Sequence, residues 1–178
     1  TGLARSVLVD RMAQLVKVLE SQNARLTAAL WADRKGFEES IAFMLRNDLV
    51  DKADDFGTEV IFYQPSRRNV LDLYRNSIVH YLALPSFLAR SLLRGSSSEE
   101  MQADLTRWSE LFYSEFFVPS QQSSPEAVGK LLEEFHSEGW IEAKGEGGWA
   151  VTLPGQEILV CLSAQTRNFV ETYEAVFH

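Results

Sequence analysis

The sequence has 178 residues, 46% of them hydrophobic and 24% charged, a composition that excludes the disordered and fibrous classes and suits one packed domain or two small subdomains. Its formal net charge of -8 argues against nucleic acid as the main partner, because binding phosphates needs a dense cationic surface that displaces counterions. A single cysteine, Cys161, excludes an internal disulfide and a cysteine-based metal site, so a reducing compartment is compatible.

The chain opens Thr1-Gly2-Leu3 without an initiator methionine or a signal-peptide pattern, as expected of a segment of something longer. Leu8, Met12, Leu15, Leu19 and Leu26 recur at helical spacings and predict one long first helix from Leu3 to about Leu30. Gln22 interrupts the pattern, so this face is expected to pack on its own domain rather than in a coiled coil. Phe37 to Val50 reads as a second amphipathic helix, ended by the acidic run Asp51 to Asp55. Glu59-Val60-Ile61-Phe62-Tyr63 reads as a short strand stopped by Pro65, with no evident partner.

From Ser66 to Leu93 the pattern is helical again, and Pro85, which lacks a backbone donor, is expected to divide it into two helices in tandem. Ser97 and Glu100 fit a capping box for a helix whose aromatic face holds Trp108, Phe112, Phe116 and Phe117, closed by Pro119. After the polar turn Ser120 to Ser123, Ser124 and Pro125 suit the N-cap and first position of a helix reaching about Ser137. Residues 139–152 read as a β-hairpin around a glycine-rich turn, and a final helix runs to about Phe177. The expected fold is mainly α, a helical domain with a short strand and a winged-helix-like helix–hairpin–helix unit at about 124–153. A helical hairpin region over 1–55 and a C-terminal helical domain over 56–178 are the expected parts, with one continuous domain as the alternative.

No stretch has the eighteen or so uninterrupted apolar residues of a membrane-spanning helix. The nearest, Ile78 to Leu93, contains His80, Pro85 and Arg90 and reads as buried helix or interfacial contact. Charge is unevenly spread: between Pro65 and Gly95, Arg67, Arg68, Arg75, Arg90 and Arg94 face one acid, Asp72, giving +4 and leaving -12 for the rest. Such a cationic stretch can meet an anionic substrate, phospholipid headgroups or an acidic neighbouring domain. On a helix, Arg68, Asp72, Asn76 and His80 form a polar stripe at spacings of four, either a hydrogen-bond network that fixes packing or a set of donors facing a phosphate. His80, His136 and His178 lack metal-ligand spacing, no cofactor is expected, and no nucleophile elbow or phosphate loop is present. Cys161 reads as core, and Trp31, Trp108, Trp140 and Trp149 as core or a lipid-interface belt.

The string Leu73-Tyr74-Arg75-Asn76-Ser77-Ile78-Val79-His80-Tyr81-Leu82-Ala83-Leu84-Pro85-Ser86 resembles the Tyr-Tyr-Arg-Asn-Asn-Ile-x-His-x-x-x-x-Pro-Ser block found downstream of the catalytic domain in bacterial membrane-bound glycerol-3-phosphate acyltransferases. Tyr74, Arg75, Asn76, Ile78, His80, Pro85 and Ser86 match with spacing intact, and the order of elements over Phe56 to His178 is similar. The resemblance implies a parent enzyme that moves an acyl group from acyl-CoA or acyl carrier protein to the 1-hydroxyl of glycerol-3-phosphate in phospholipid biosynthesis. It also implies a general-base histidine oriented by an aspartate in a His-x4-Asp motif. Here the position five after His80 is Pro85, and after His136 it is Ile141, so this chain holds no such motif and no catalytic residue is assigned to it. The implied role is a non-catalytic C-terminal region that packs on the upstream catalytic domain and on an anionic membrane at the cytoplasmic face of the inner membrane, associated peripherally or integrally. Arg67, Arg68, Arg75, Arg90 and Arg94 are then the substrate- or membrane-facing candidates, with Asp72, Asn76 and His80 as a structural polar network.

The rival reading is a winged-helix-like protein-interaction module unrelated to acyl transfer. Its recognition helix would set Lys130 among Glu126, Glu133, Glu134 and Glu138, and its wing would add Glu142 and Glu146 against Lys144, so acids would repel DNA.

Overall fold

In the computed structural model, which describes residues 2–27, 34–113, 124–145 and 147–177, the first apolar stripe ends early. Helix α1 spans Arg5–Ser21, and Asn23 at φ 58° turns the chain out of it. Asn23 N–H donates to Glu20 O and Ala24 N–H to Leu19 O, both at 2.9 Å, a Schellman closure that leaves Leu26 outside the helix. Helix α2, Arg34–Arg46, closes the same way through Asp48 at φ 52°, with Leu49 N–H on Met44 O at 2.9 Å, four residues short of the predicted end at Val50.

The acidic run read as the end of that helix is a strand. Strand β2, Asp51–Asp55, pairs antiparallel with β3, Thr58–Phe62, through a two-residue loop. Phe56 (φ 49°) and Gly57 (φ 83°) both take the positive φ that a type I′ turn requires, and Asp54 Oδ1 accepts from Gly57 N–H at 3.0 Å. Strand β1, Leu3–Ala4, covers the other side of β3, giving the order β1-β3-β2. Acids along the outer strand β2 discourage edge-to-edge pairing. Ile61 of β3 packs with Val9, Phe37 and Ile41 in the core of this part. Arg5 reaches Glu38 of α2 at 2.7 Å and also Glu59 of β3, whose second oxygen takes Lys52 at 2.9 Å. Hydrogen bonds from Lys52 and then Arg5 hold the Glu59 carboxyl below its ordinary range, and those carboxylates hold Arg5 above its own.

A 3-10 turn, Pro65–Arg67, leads into α3, Arg68–Arg94, a single helix that runs through Pro85 where two were expected. Proline in a helix interior costs about 3 kcal/mol. Leu82, Leu84, Phe87 and Leu88 are all buried around it, at about 1.5–3 kcal/mol each, so packing outweighs the break. Gly95 at φ 71° ends the helix, and α4, Ser98–Leu111, starts with the predicted box: Ser97 Oγ accepts from Glu100 N–H at 3.2 Å and Ser97 N–H donates to Glu100 Oε2 at 2.8 Å.

Helix α5, Pro125–Ser137, capped by Ser124, leads through Gly139 into strands β4, Ile141–Lys144, and β5, Gly148–Val151, which pair antiparallel as predicted. Helix α6, Leu153–Ser163, a 3-10 turn, Ala164–Thr166, and α7, Arg167–Phe177, replace the one final helix expected. Among the side chains buried here are Leu88 and Phe87 of α3, Leu105 of α4, Phe135 of α5 and Leu159 of α6. Phe87, Trp108 and Phe112 stack with ring centroids 5.6 Å apart. Trp140 is buried, Trp108, Trp149 and Cys161 are half-buried, and Trp31, Phe116, Phe117, Pro119, residues 120–123, Glu146 and His178 lie outside the described residues.

The chain divides into two compact units, Thr1–Ile78 and Val79–His178, so the boundary falls within α3. The division at 55/56 expected from the sequence falls in the turn between β2 and β3.

Candidate functional site

The block Tyr74 to Ser86 lies wholly on α3, but its two halves live in different surroundings. From Leu82 to Ala89 every residue is buried, and Ser86 Oγ lies 2.7 Å from Thr166 Oγ1, a hydroxyl pair that pins α3 to the 3-10 turn before α7. Pro85 and Ser86 are therefore packing residues of the second unit. Before Val79 the same helix is largely bare: Leu73 is 71% exposed and Tyr74 59%, with Val70 and Ile78 also exposed. Val70, Leu73, Tyr74 and Ile78 stand at i, i+3, i+4 and i+8, the spacing of a face built to be covered. Leu71 and Tyr74 also line, with Phe43, Met44 and Leu49, an open apolar groove of about 450 Å3 in the first unit.

The predicted polar stripe forms in part. Asp72 accepts from Arg75 Nη1 at 3.2 Å and faces Arg68 Nε at 3.7 Å, while Arg75 Nη2 donates to Asn76 Oδ1 at 3.0 Å. His80 does not join this set; it is exposed, and its ring lies 4.0 Å from that of Tyr81. The candidate arginines are divided between the units. Arg67 and Arg68 are exposed and Arg75 half-buried in the first; Arg90 is half-buried in the second, where Arg94 pairs with Asp104. Among the described residues, no group of His, Cys, Asp or Glu is placed to hold a metal ion, and no helix is long and apolar enough to cross a membrane.

Sequence reasoning missed the tip of the β2–β3 hairpin, where Phe56 is fully exposed. The signal was an Asp55-Phe56-Gly57 step ahead of an alternating apolar run, masked by reading the preceding aspartates as a helix end.

These features define a mainly helical protein region that contains a helix–hairpin–helix unit and leaves the first part of one long helix bare to its surroundings. The chain belongs to the family of glycerol-3-phosphate acyltransferase C-terminal regions, whose model matches residues 1–178. It is 34% identical over 97 residues to a glycerol-3-phosphate acyltransferase of Shewanella amazonensis, a match covering 53% of this chain and 12% of that protein. A glycerol-3-phosphate acyltransferase of Aeromonas hydrophila is 32% identical over 110 residues, covering 60% of this chain and 14% of that protein. The chain thus spans a small part of the length of the curated relatives it matches. No solved structure matches it.

Proposed function

We propose that this chain is the non-catalytic C-terminal region of a glycerol-3-phosphate 1-O-acyltransferase of phospholipid biosynthesis, packing on the catalytic part of the same polypeptide and on an anionic membrane surface. The observation that carries this reading is the family match over residues 1–178. The bare apolar face of Val70, Leu73, Tyr74 and Ile78 supports it, because such a face stays exposed in solution only at a cost that a covering partner removes. Arg67 and Arg68, both exposed beside it, suit phospholipid headgroups at the cytoplasmic face of the inner membrane.

Neither His80 nor His136 is followed five positions on by an aspartate that could orient it, so the base that activates the acceptor hydroxyl lies elsewhere in the enzyme and this region alone is inactive. The whole enzyme takes glycerol-3-phosphate as acceptor and acyl-CoA or acyl carrier protein as donor. The test is an acyltransferase assay on the full-length enzyme, comparing wild type with a deletion of this region and with Arg67→Gln/Arg68→Gln. Loss of activity or of membrane retention in both variants supports the reading, and full activity without the region overturns it.

A further inference from the structure

The turn that joins β2 to β3 carries a side chain its own geometry does not call for. Phe56 stands at φ 49°, a left-handed conformation that glycine and asparagine adopt readily and a bulky side chain resists. An Asn-Gly pair would build the same two-residue loop with less strain. The ring does not repay that strain by packing, since it is fully exposed. Asp54 and Asp55 precede it, both exposed and neither in an ion pair among the described residues, whereas Lys52 is neutralised by Glu59 at 2.9 Å. The tip is therefore an aromatic ring on an anionic mount, held by a hydrogen-bonded ladder from Asp55↔Thr58 to Asp51↔Phe62.

The geometry points to a plug: Phe56 inserts into an apolar pocket edged by lysine or arginine on the part of the acyltransferase polypeptide outside these residues. This rests on the function proposed above and names the contact through which that packing is made. The matched relatives extend well beyond the matched stretch, which covers 12% and 14% of their lengths, so most of the polypeptide is available to supply the pocket. Charge decides between that partner and a lipid surface, because two unpaired aspartates would face anionic headgroups at close range, whereas a basic rim complements them. A ring fixed on a two-residue turn also has little freedom left to lose on binding.

The test uses the full-length enzyme with p-benzoylphenylalanine in place of Phe56. On irradiation, a cross-link to a peptide of the same polypeptide, outside the matched region and containing lysine or arginine, is the expected result. Cross-links to lipid alone, to a different protein alone, or to nothing overturn the plug. A second variant, Phe56→Asn, eases the turn while removing the ring. Thermal inactivation of the full-length enzyme should then begin a few degrees lower, and an unchanged or raised midpoint overturns the proposal. If deleting the region abolishes activity while Phe56→Asn changes nothing, the plug fails and the reading of the region stands. If the deletion enzyme is fully active, that reading fails and the plug, which rests on it, fails with it.

Discussion

A β-carbon built on Gly155 would lie 1.9 Å from the carbonyl oxygen of Trp140 and 2.5 Å from its carbonyl carbon, so the first turn of α6 meets the hairpin backbone with no room for a side chain. Thr152 locks the same junction, donating to Gly139 O at 2.6 Å and accepting from Gly155 N–H at 3.0 Å. Gly155→Ala should cost about 1–3 kcal/mol, the range for overpacking against groups that cannot move aside, and its melting midpoint should fall accordingly. Ser86→Ala should cost about 1–3 kcal/mol by stranding the buried Thr166 hydroxyl. Urea denaturation of the Ser86→Ala/Thr166→Val pair should then show a loss smaller than the sum of the two single changes. In the sequence Ser86 stood out only through the family block. Its partner lies 80 residues on, and no local spacing could reveal that contact.

Elements were legible where their ends are written in residue chemistry. Ser97 with Glu100, Ser124 with Pro125 and the glycines at 95 and 139 all mark true boundaries. Asn23 and Asp48 close their helices with the same left-handed geometry but without glycine, and so α1 and α2 were both read too long. Asp48→Gly should raise stability by about 0.5–1 kcal/mol, seen as a higher melting midpoint, because glycine takes positive φ without a β-carbon clash. Strand β2 was illegible for another reason: its residues have low strand propensity, and it exists because the turn at 56–57 and β3 impose it. Helix α3 was misread at Pro85 because periodicity gives no measure of the burial that outweighs a missing hydrogen bond. The ties among α1, α2 and β3 carry a pH signature. The Glu59 carboxyl titrates below its unfolded value, so its contribution is present above that value and is lost as pH falls through the folded one. Melting followed from pH 7 into the acid range should fall less steeply in Glu59→Gln than in the wild type.

For the whole molecule, the mainly helical class and the family followed from the sequence, because both rest on composition, periodicity and one matched block. The surface that would serve the function was not legible, since an apolar stripe at helical spacing reads alike whether it is covered or bare. Among the described residues, nine of the twelve exposed large apolar side chains belong to the first unit, which no sequence pattern shows. Helix α3 passes from that bare stretch into the longest unbroken run of buried residues among those described, Leu82 to Ala89. Deuterium exchange would record this as a gradient along one rod: amides before Val79 label early, and those from Leu82 to Leu92 persist to the slowest phase. The family block straddles the steep part of that gradient. In the full-length polypeptide, a covering partner should slow labelling in its first half and leave the second unchanged, so a single peptide cut from this helix holds both the reporter of docking and its internal standard.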